Sequence, residues 1–256
     1  MKTDETVTRT LLLSRKTGGK LLVSRGSDEN IDLSAVDVNT GQSQIRIFEA
    51  SKAKQDYSAG TTLGWGLRNA VGLAENPKDG GIWSAENSAD NIERDGFEIH
   101  ENNPAEEINY HGKLDDPKSP LLNKNFGYPL CYGVWNVSEI PSAGTLEIGQ
   151  QFAIAESNAT KQDSFCNTDR EPPRLVFQPH TSPLDLKFDS KAENLYVSLH
   201  GSWYVRRFFN LSLLTYPDKS LTPQTGIVTT PSVIPSRPSN SDPTDNPSKK
   251  PQVQTL

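Results

Sequence analysis

The chain has 256 residues, 34% of them hydrophobic, with Gly and Pro at 18 each and a net charge of −6 from 26 Lys plus Arg against 32 Asp plus Glu. That length suits one large β domain or two small ones, and the density of Gly and Pro disfavours long helices. The acidic balance argues against nucleic acid or an anionic membrane as partner, and no apolar run approaches the ~18 residues of a membrane span.

Met1 to Thr10 carries Lys2, Asp4, Glu5 and Arg9 and no apolar stretch, so it does not read as a signal peptide. Three segments further along share one plan: an apolar strand, a turn containing Gly or Asn, a second apolar strand and an exit containing serine. They run from Arg9 to Ser24, from Asn69 to Ser84 and from Ser182 to Ser198. The equivalent serines, 24, 84 and 198, lie 60 and 114 residues apart, so the second interval has room for a diverged unit. Strand-turn-strand units at this spacing predict a β-propeller, in which each blade buries its faces against its neighbours. Unrelated hairpins of a β-sandwich are the alternative that the pattern leaves open.

Long polar loops separate the hairpins, notably Asn87 to Lys124. From about Thr222 the chain is rich in Pro, Ser and Thr without apolar periodicity, which reads as linker-like. The expected organisation is therefore an ordered β domain over 1–214 and a tail over 215–256. Cys131 and Cys166 are an even pair, compatible with one disulfide or with two buried thiols, and sequons stand at Asn136, Asn158 and Asn210. Composition by itself leaves the compartment open.

The densest stretch is Gly64-Trp-Gly-Leu-Arg-Asn-Ala-Val-Gly-Leu73, followed by Trp83-Ser-Ala-Glu-Asn-Ser-Ala-Asp-Asn91 and Glu98-Ile-His-Glu-Asn-Asn-Pro-Ala-Glu-Glu-Ile-Asn109. An Arg-Asn pair opening a strand can offer a guanidinium and an amide to one planar anionic ligand, or can simply tie down a loop. A strand exit rich in Ser and Asn leaves backbone carbonyls for a hard cation, or forms a solvated surface. Glu106 and Glu107 are adjacent, so in a strand they face opposite sides, which speaks against a hydrolase's paired carboxylates. His100, His111 and His180 have no zinc-like spacing with Cys or Asp.

These motifs resemble the soluble quinoprotein glucose/sorbosone dehydrogenases, and within them the fungal pyranose dehydrogenases that use pyrroloquinoline quinone (PQQ). Further matches are Thr8-Arg-Thr-Leu-Leu, Leu22-Val-Ser-Arg-Gly-Ser27 with Asn30-Ile-Asp32, Pro179-His-Thr-Ser-Pro-Leu-Asp185 and Val197-Ser-Leu-His-Gly-Ser-Trp203. The resemblance implies an all-β, six-bladed propeller, of which this chain holds about four blades, with PQQ near the axis and Ca2+ bridging it to the protein. It implies that Arg68 and Asn69 contact the quinone, that the carbonyls of Ser88 and Ala89 hold the calcium, and that His200 meets the cofactor carboxylates. It further implies hydride transfer from a sugar C1 to the quinone, a sugar substrate, an electron acceptor such as a cytochrome domain, an extracellular setting and a Cys131–Cys166 disulfide.

Three departures from the family pattern bear on activity. Thr6 stands where the family's general-base histidine precedes the Thr-Arg-Thr motif, and a threonine hydroxyl is no base near neutral pH. General bases contribute roughly 10²–10⁴-fold, so turnover is expected to be strongly reduced, with a non-catalytic binding propeller as the alternative function. The family's secretion signal and early blades are not found before Thr8. After Trp203 the chain reads Tyr204-Val-Arg-Arg-Phe-Phe-Asn210 in place of a closing blade. The expectation is an incomplete propeller from a truncated gene product.

Overall fold

The computed structural model describes residues 9–154, 163–201, 210–215 and 232–233, the last two segments as backbone only. In chain order the strands are β1 (Leu11–Leu13), β2 (Lys20–Arg25), β3 (Gln44–Glu49), β4 (Thr61–Trp65), β5 (Ala70–Glu75), β6 (Gly81–Glu86), β7 (Glu93–Arg94), β8 (Phe97–Glu98) and β9 (Glu106–Lys113). They continue as β10 (Lys124–Asn125), β11 (Cys131–Gly133) and β12 (Gln151–Ala153), then helix α1 (Asp163–Thr168), β13 (Leu175–Phe177), β14 (Pro183–Phe188), β15 (Asn194–Leu199), β16 (Asn210–Thr215) and β17 (Ser232–Val233).

The fold is all-β and of the propeller type. Its three main sheets have the orders β1-β2-β3-β4-β10, β5-β6-β9-β13 and β14-β15-β16-β17, antiparallel throughout except for the parallel β4–β10 pair. The three hairpins anticipated from the repeat are β1–β2, β5–β6 and β14–β15, each opening one sheet. The long second interval holds the outer strands β9 and β13 of the middle sheet and a β11–β12 hairpin rather than a further four-stranded sheet. The described residues thus form three blade-like sheets, against about four anticipated. Ser232–Val233, inside the Pro-rich stretch, adds a short edge strand to β16.

Burial follows the position of each sheet. The middle sheet is covered on both faces, so β5 is buried from Ala70 to Ala74 and β6 along its whole length, matching their unbroken apolar runs. Towards the first sheet it packs Leu73 and Ile82 with Leu22, Ile45, Leu63 and Phe126. Towards the third it packs Trp83 and Ile108 with Leu186, Phe188, Leu195 and Val197. In β15 buried Leu195, Val197 and Leu199 alternate with more accessible positions, the period-2 pattern of a sheet with one open face. On the other side Leu11 and Leu13 are 64% and 57% exposed.

A third apolar cluster, including Ala89, Ile92, Ile99, Tyr128, Tyr132 and Phe152, underlies the loops at one end of the sheets. Beside it, Cys131 in β11 and Cys166 in α1 form the expected disulfide, with Cα atoms 5.6 Å apart. Arg94 clamps the same helix through Asp163, at 2.8 and 2.9 Å. Of the sequons, Asn136 caps a short 3-10 turn by accepting from Ser138 N. Asn158 and the side chain of Asn210 lie outside the described residues.

Candidate cofactor and cation site

In an antiparallel hairpin the start of the first strand and the end of the second lie side by side. Ala70 opposite Glu86 and Pro183 opposite Leu199 therefore bring the entry and exit segments of two hairpins to one end of the molecule. Arg68 and Asn69 enter β5, while Asn87, Ser88 and Ala89 leave β6, and Asn87 N donates to Asn69 O at 3.0 Å. Arg68, Asn69, Ser88 and Ala89 are thus brought together by one hairpin.

Arg68 is half-buried, and its fork is aimed by a loop from the first sheet. Nε donates to Asn30 O at 3.1 Å, Nη2 to Asn30 Oδ1 at 3.0 Å and Nη1 to Asn87 O at 3.5 Å. A guanidinium carries two N–H bonds on each terminal nitrogen, so donors remain on both. Asn30 also holds the calcium-loop candidate: its Oδ1 accepts from Asp90 N at 2.9 Å and its Nδ2 donates to Asp90 O at 2.6 Å. Tyr128 supports this loop from below, accepting from Asp32 N at 2.6 Å and lying 3.2 Å from Asn30 O.

No described residue donates to the Ser88 or Ala89 carbonyl, and the Asn69 carboxamide makes no hydrogen bond with a described residue. Two uncommitted carbonyls, one amide and a guanidinium with spare donors form a set that fits a hard cation beside a planar anion. His200 sits at the same end, in the third sheet. Its N donates to Ser182 O at 3.0 Å, and Ser182 Oγ donates to Asn87 Oδ1 at 3.1 Å. The exposed imidazole has Nδ1 2.9 Å from Gly201 O. Thr6 lies outside the described residues.

Beneath these loops are three buried glutamates, Glu86, Glu106 and Glu107, at 4–6% exposure. Glu106 and Glu107 point to opposite sides of β9, as their adjacency requires: Glu106 Oε1 accepts from Ser182 N and Glu107 Oε1 from Gly133 N. A carboxylate pair does form, but across strands. Glu86 faces Glu107 in the β6–β9 register, and Asn109 Nδ2 donates to both, at 3.0 and 3.2 Å. Glu86 Oε1 also accepts from Arg68 N at 2.5 Å. Each of these carboxylates accepts from backbone N–H, Glu86 and Glu106 from the loops above them and Glu107 from Gly133 of β11.

Burial pushes Glu106 and Glu107 up to about 7, partly offset by their N–H donors, and burial followed by the Glu107 charge raises Glu86 well above the ordinary carboxylate range. His180 is raised by its bond to Asp90, which is lowered by the same contact. Groups raised on folding make the folded state bind more protons than the unfolded one between about pH 4.5 and 7, so stability is lost as pH rises through that window. Asp90 and buried His111 have the opposite sign: the Asp90 loss falls below the ordinary aspartate value, while His111, lowered to about 3 by burial, offsets part of the glutamate effect below about pH 6.5. The thermal midpoint is expected to drop by about 3–6 °C from pH 5 to pH 8, for roughly 1–2 kcal/mol. A midpoint that is flat or rises between about pH 6.5 and pH 8, above the range in which His111 acts, would mean that these carboxyls are not raised by burial.

A family model described as TrAA12-like matches residues 1–224. The PQQ-dependent sugar dehydrogenase of Hypocrea jecorina (strain QM6a) is 47% identical over 207 residues, 79% of this chain and 48% of that protein. The PQQ-dependent pyranose dehydrogenase of Coprinopsis cinerea is 40% identical over 206 residues, 77% of this chain and 27% of that protein. Among solved structures, the calcium structure of the Trichoderma reesei Carbohydrate-Active Enzymes Family AA12 protein superposes with a TM-score of 0.82 at 42% identity, covering 91% of this chain and 58% of the other. The holo form of the pyranose dehydrogenase PQQ domain from Coprinopsis cinerea superposes with a TM-score of 0.79 at 34% identity, covering 91% and 59%. The chain spans about half the length of the first of these relatives and about a quarter of the second. With sequence and fold in agreement over most of its length, the chain belongs to the TrAA12-like family.

Proposed function

We propose that this chain supplies the cofactor-holding face of a PQQ- and calcium-dependent sugar dehydrogenase, acting on a pyranose-, glucose- or sorbosone-type substrate. One observation carries the reading: Arg68 with spare donors, the uncommitted Asn69 amide and the free carbonyls of Ser88 and Ala89 stand at adjacent ends of one hairpin. The names of the relatives support the same cofactor. The two carbonyls ligate calcium, a cation that takes neutral backbone oxygens readily. Arg68 and Asn69 would hold and orient the planar quinone, the guanidinium supplying positive charge and hydrogen-bond donors beside it. His200 offers a donor to a cofactor carboxylate from the neighbouring sheet. When bound, PQQ supplies the acceptor for the hydride leaving the sugar C1, and a partner such as a cytochrome domain removes the electrons.

The Cys131–Cys166 disulfide supports an extracellular setting, and no helix of the described residues is long and apolar enough to cross a membrane. A second reading, binding of cofactor or carbohydrate without turnover, is favoured by Thr6 at the position of the general base. A PQQ titration with millimolar calcium, followed by sugar-dependent dye reduction, separates the readings. A saturable, calcium-dependent change in quinone absorbance is expected. Its absence at tens of micromolar PQQ would remove the cofactor reading, and binding without sugar-dependent reduction would select the second one.

A further inference from the structure

Glu106 opens β9 at 6% exposure and makes no ion pair among the described residues. Both its oxygens are instead committed to backbone: Oε2 accepts from Ser88 N at 2.8 Å and Oε1 from Ser182 N at 3.2 Å. The two donors belong to different sheets, since Ser88 leaves β6 of the middle sheet and Ser182 enters β14 of the third. One buried carboxylate therefore spans the junction between two blades, directly under the Ser88–Ala89 carbonyls.

The turn on the far side needs such a contact. His180 and Ser182 both have positive φ, 63° and 48°, a region that costs a non-glycine residue about 1–3 kcal/mol unless its surroundings enforce it. Ser182 is enforced from two sides, by Glu106 at its N–H and by Asn87 Oδ1 at its hydroxyl. Ser182 O in turn accepts from His200 N. The Glu106 side chain thus links the Ser88 N–H to the Ser182 turn, and the Ser182 carbonyl carries the link on to the His200 exit.

We propose that Glu106 is a positioning residue that fixes the separation of the Ser88–Ala89 loop from the Ser182 turn and thereby sets the affinity of the divalent-cation site. The second half of the proposal rests on the reading of Ser88 and Ala89 as cation ligands. The first half does not. Glutamine has nearly the same shape but only one acceptor oxygen, so Glu106→Gln turns an NH2 group towards one of the two N–H donors and releases one loop.

The test compares wild type with Glu106→Gln at about pH 8, where the Glu106 carboxyl is ionised and both oxygens accept, by amide hydrogen exchange and by calorimetric titration with calcium. Exchange is expected to rise at least tenfold at Ser88 or Ser182 in the variant, with far-UV circular dichroism and exchange in β5 and β6 unchanged, and calcium affinity is expected to fall about tenfold. Unchanged exchange at both serines overturns the clamp. Changed exchange with unchanged calcium affinity overturns the link to the cation. Wild-type protein that binds no calcium overturns the cation reading itself, while the exchange data still decide the clamp. If Glu106→Gln does not fold, Glu106→Asp, which keeps the charge but is too short to reach both donors, is measured in the same way.

Discussion

Replacing Arg68 by alanine is expected to lower quinone affinity by about 30–100-fold with the β5–β6 hairpin intact. The estimate is roughly 2–3 kcal/mol for charge-assisted hydrogen bonds to an anionic ligand, at about tenfold per 1.4 kcal/mol. The backbone of the position is not at stake, because Glu86 Oε1 binds the Arg68 N–H and Asn87 N binds the carbonyl of the next residue, Asn69. What alanine does remove is the pair of bonds to Asn30, so the loop carrying Asn30 and the Asp90 segment tied to it loosen too. Arg68→Lys distinguishes charge from fork geometry. A lysine ammonium keeps the positive charge but cannot span Asn30 and a ligand in one plane. Lysine is expected to recover less than a third of the lost binding energy, read from the PQQ absorbance titration with thermal midpoints as control. An alanine variant with wild-type affinity would reduce Arg68 to a tie for its loop, the plainer meaning that its sequence context also allowed.

Much of this site is legible in the sequence because its elements are local. Arg68-Asn69 and Ser88-Ala89 flank a single hairpin, and the alternation of apolar runs with a Pro-Lys-Asp-Gly-Gly turn reveals that hairpin without any tertiary information. The ligand-facing candidates therefore come out together. The supports under them do not, because they depend on register and on contacts between sheets. Asn30 is visible as part of the Asn30-Ile-Asp32 motif, yet its partner Arg68 is 38 residues away. Glu107 looks like a lone strand carboxylate until the antiparallel register sets Glu86 opposite it. Glu106 and Ser182 are 76 residues apart and meet only because the third sheet packs on the second. The spacing of the repeats misleads for a related reason. A doubled interval suits a diverged blade as well as it suits an excursion, and here β9, the disulfide-linked β11–β12 region and β13 occupy it.

The packing that brings the third sheet to the second has its own point of failure at Gly72, and Gly72→Val is expected to destabilise the chain by about 3 kcal/mol or more. Gly72 lies in β5 opposite Ala85, at an irregularity in the β5–β6 pairing. It is needed for space and not for backbone freedom, since its φ lies outside the left-handed region. A Cβ placed there would stand 2.8 Å from Leu186 Cδ2, 2.9 Å from Asp185 Cα and 3.0 Å from Ala85 Cβ. The leucine tip can rotate, but the Asp185 Cα is backbone of β14 and the Ala85 Cβ has no rotamer to yield. Relief must come from moving β14 away from β5, which opens the seam where Leu186 and Phe188 meet Trp83 and Ile108. The same movement draws Ser182, just before β14, away from Glu106, so the damage reaches the site without touching any residue that lines it. Gly72→Ala is expected to show a smaller loss, about 1–2 kcal/mol, and a weakened Ser182 amide in hydrogen exchange. Denaturant unfolding of the two variants checks the order. A valine variant as stable as wild type would mean that the second and third sheets are not pressed together along β5 and β14.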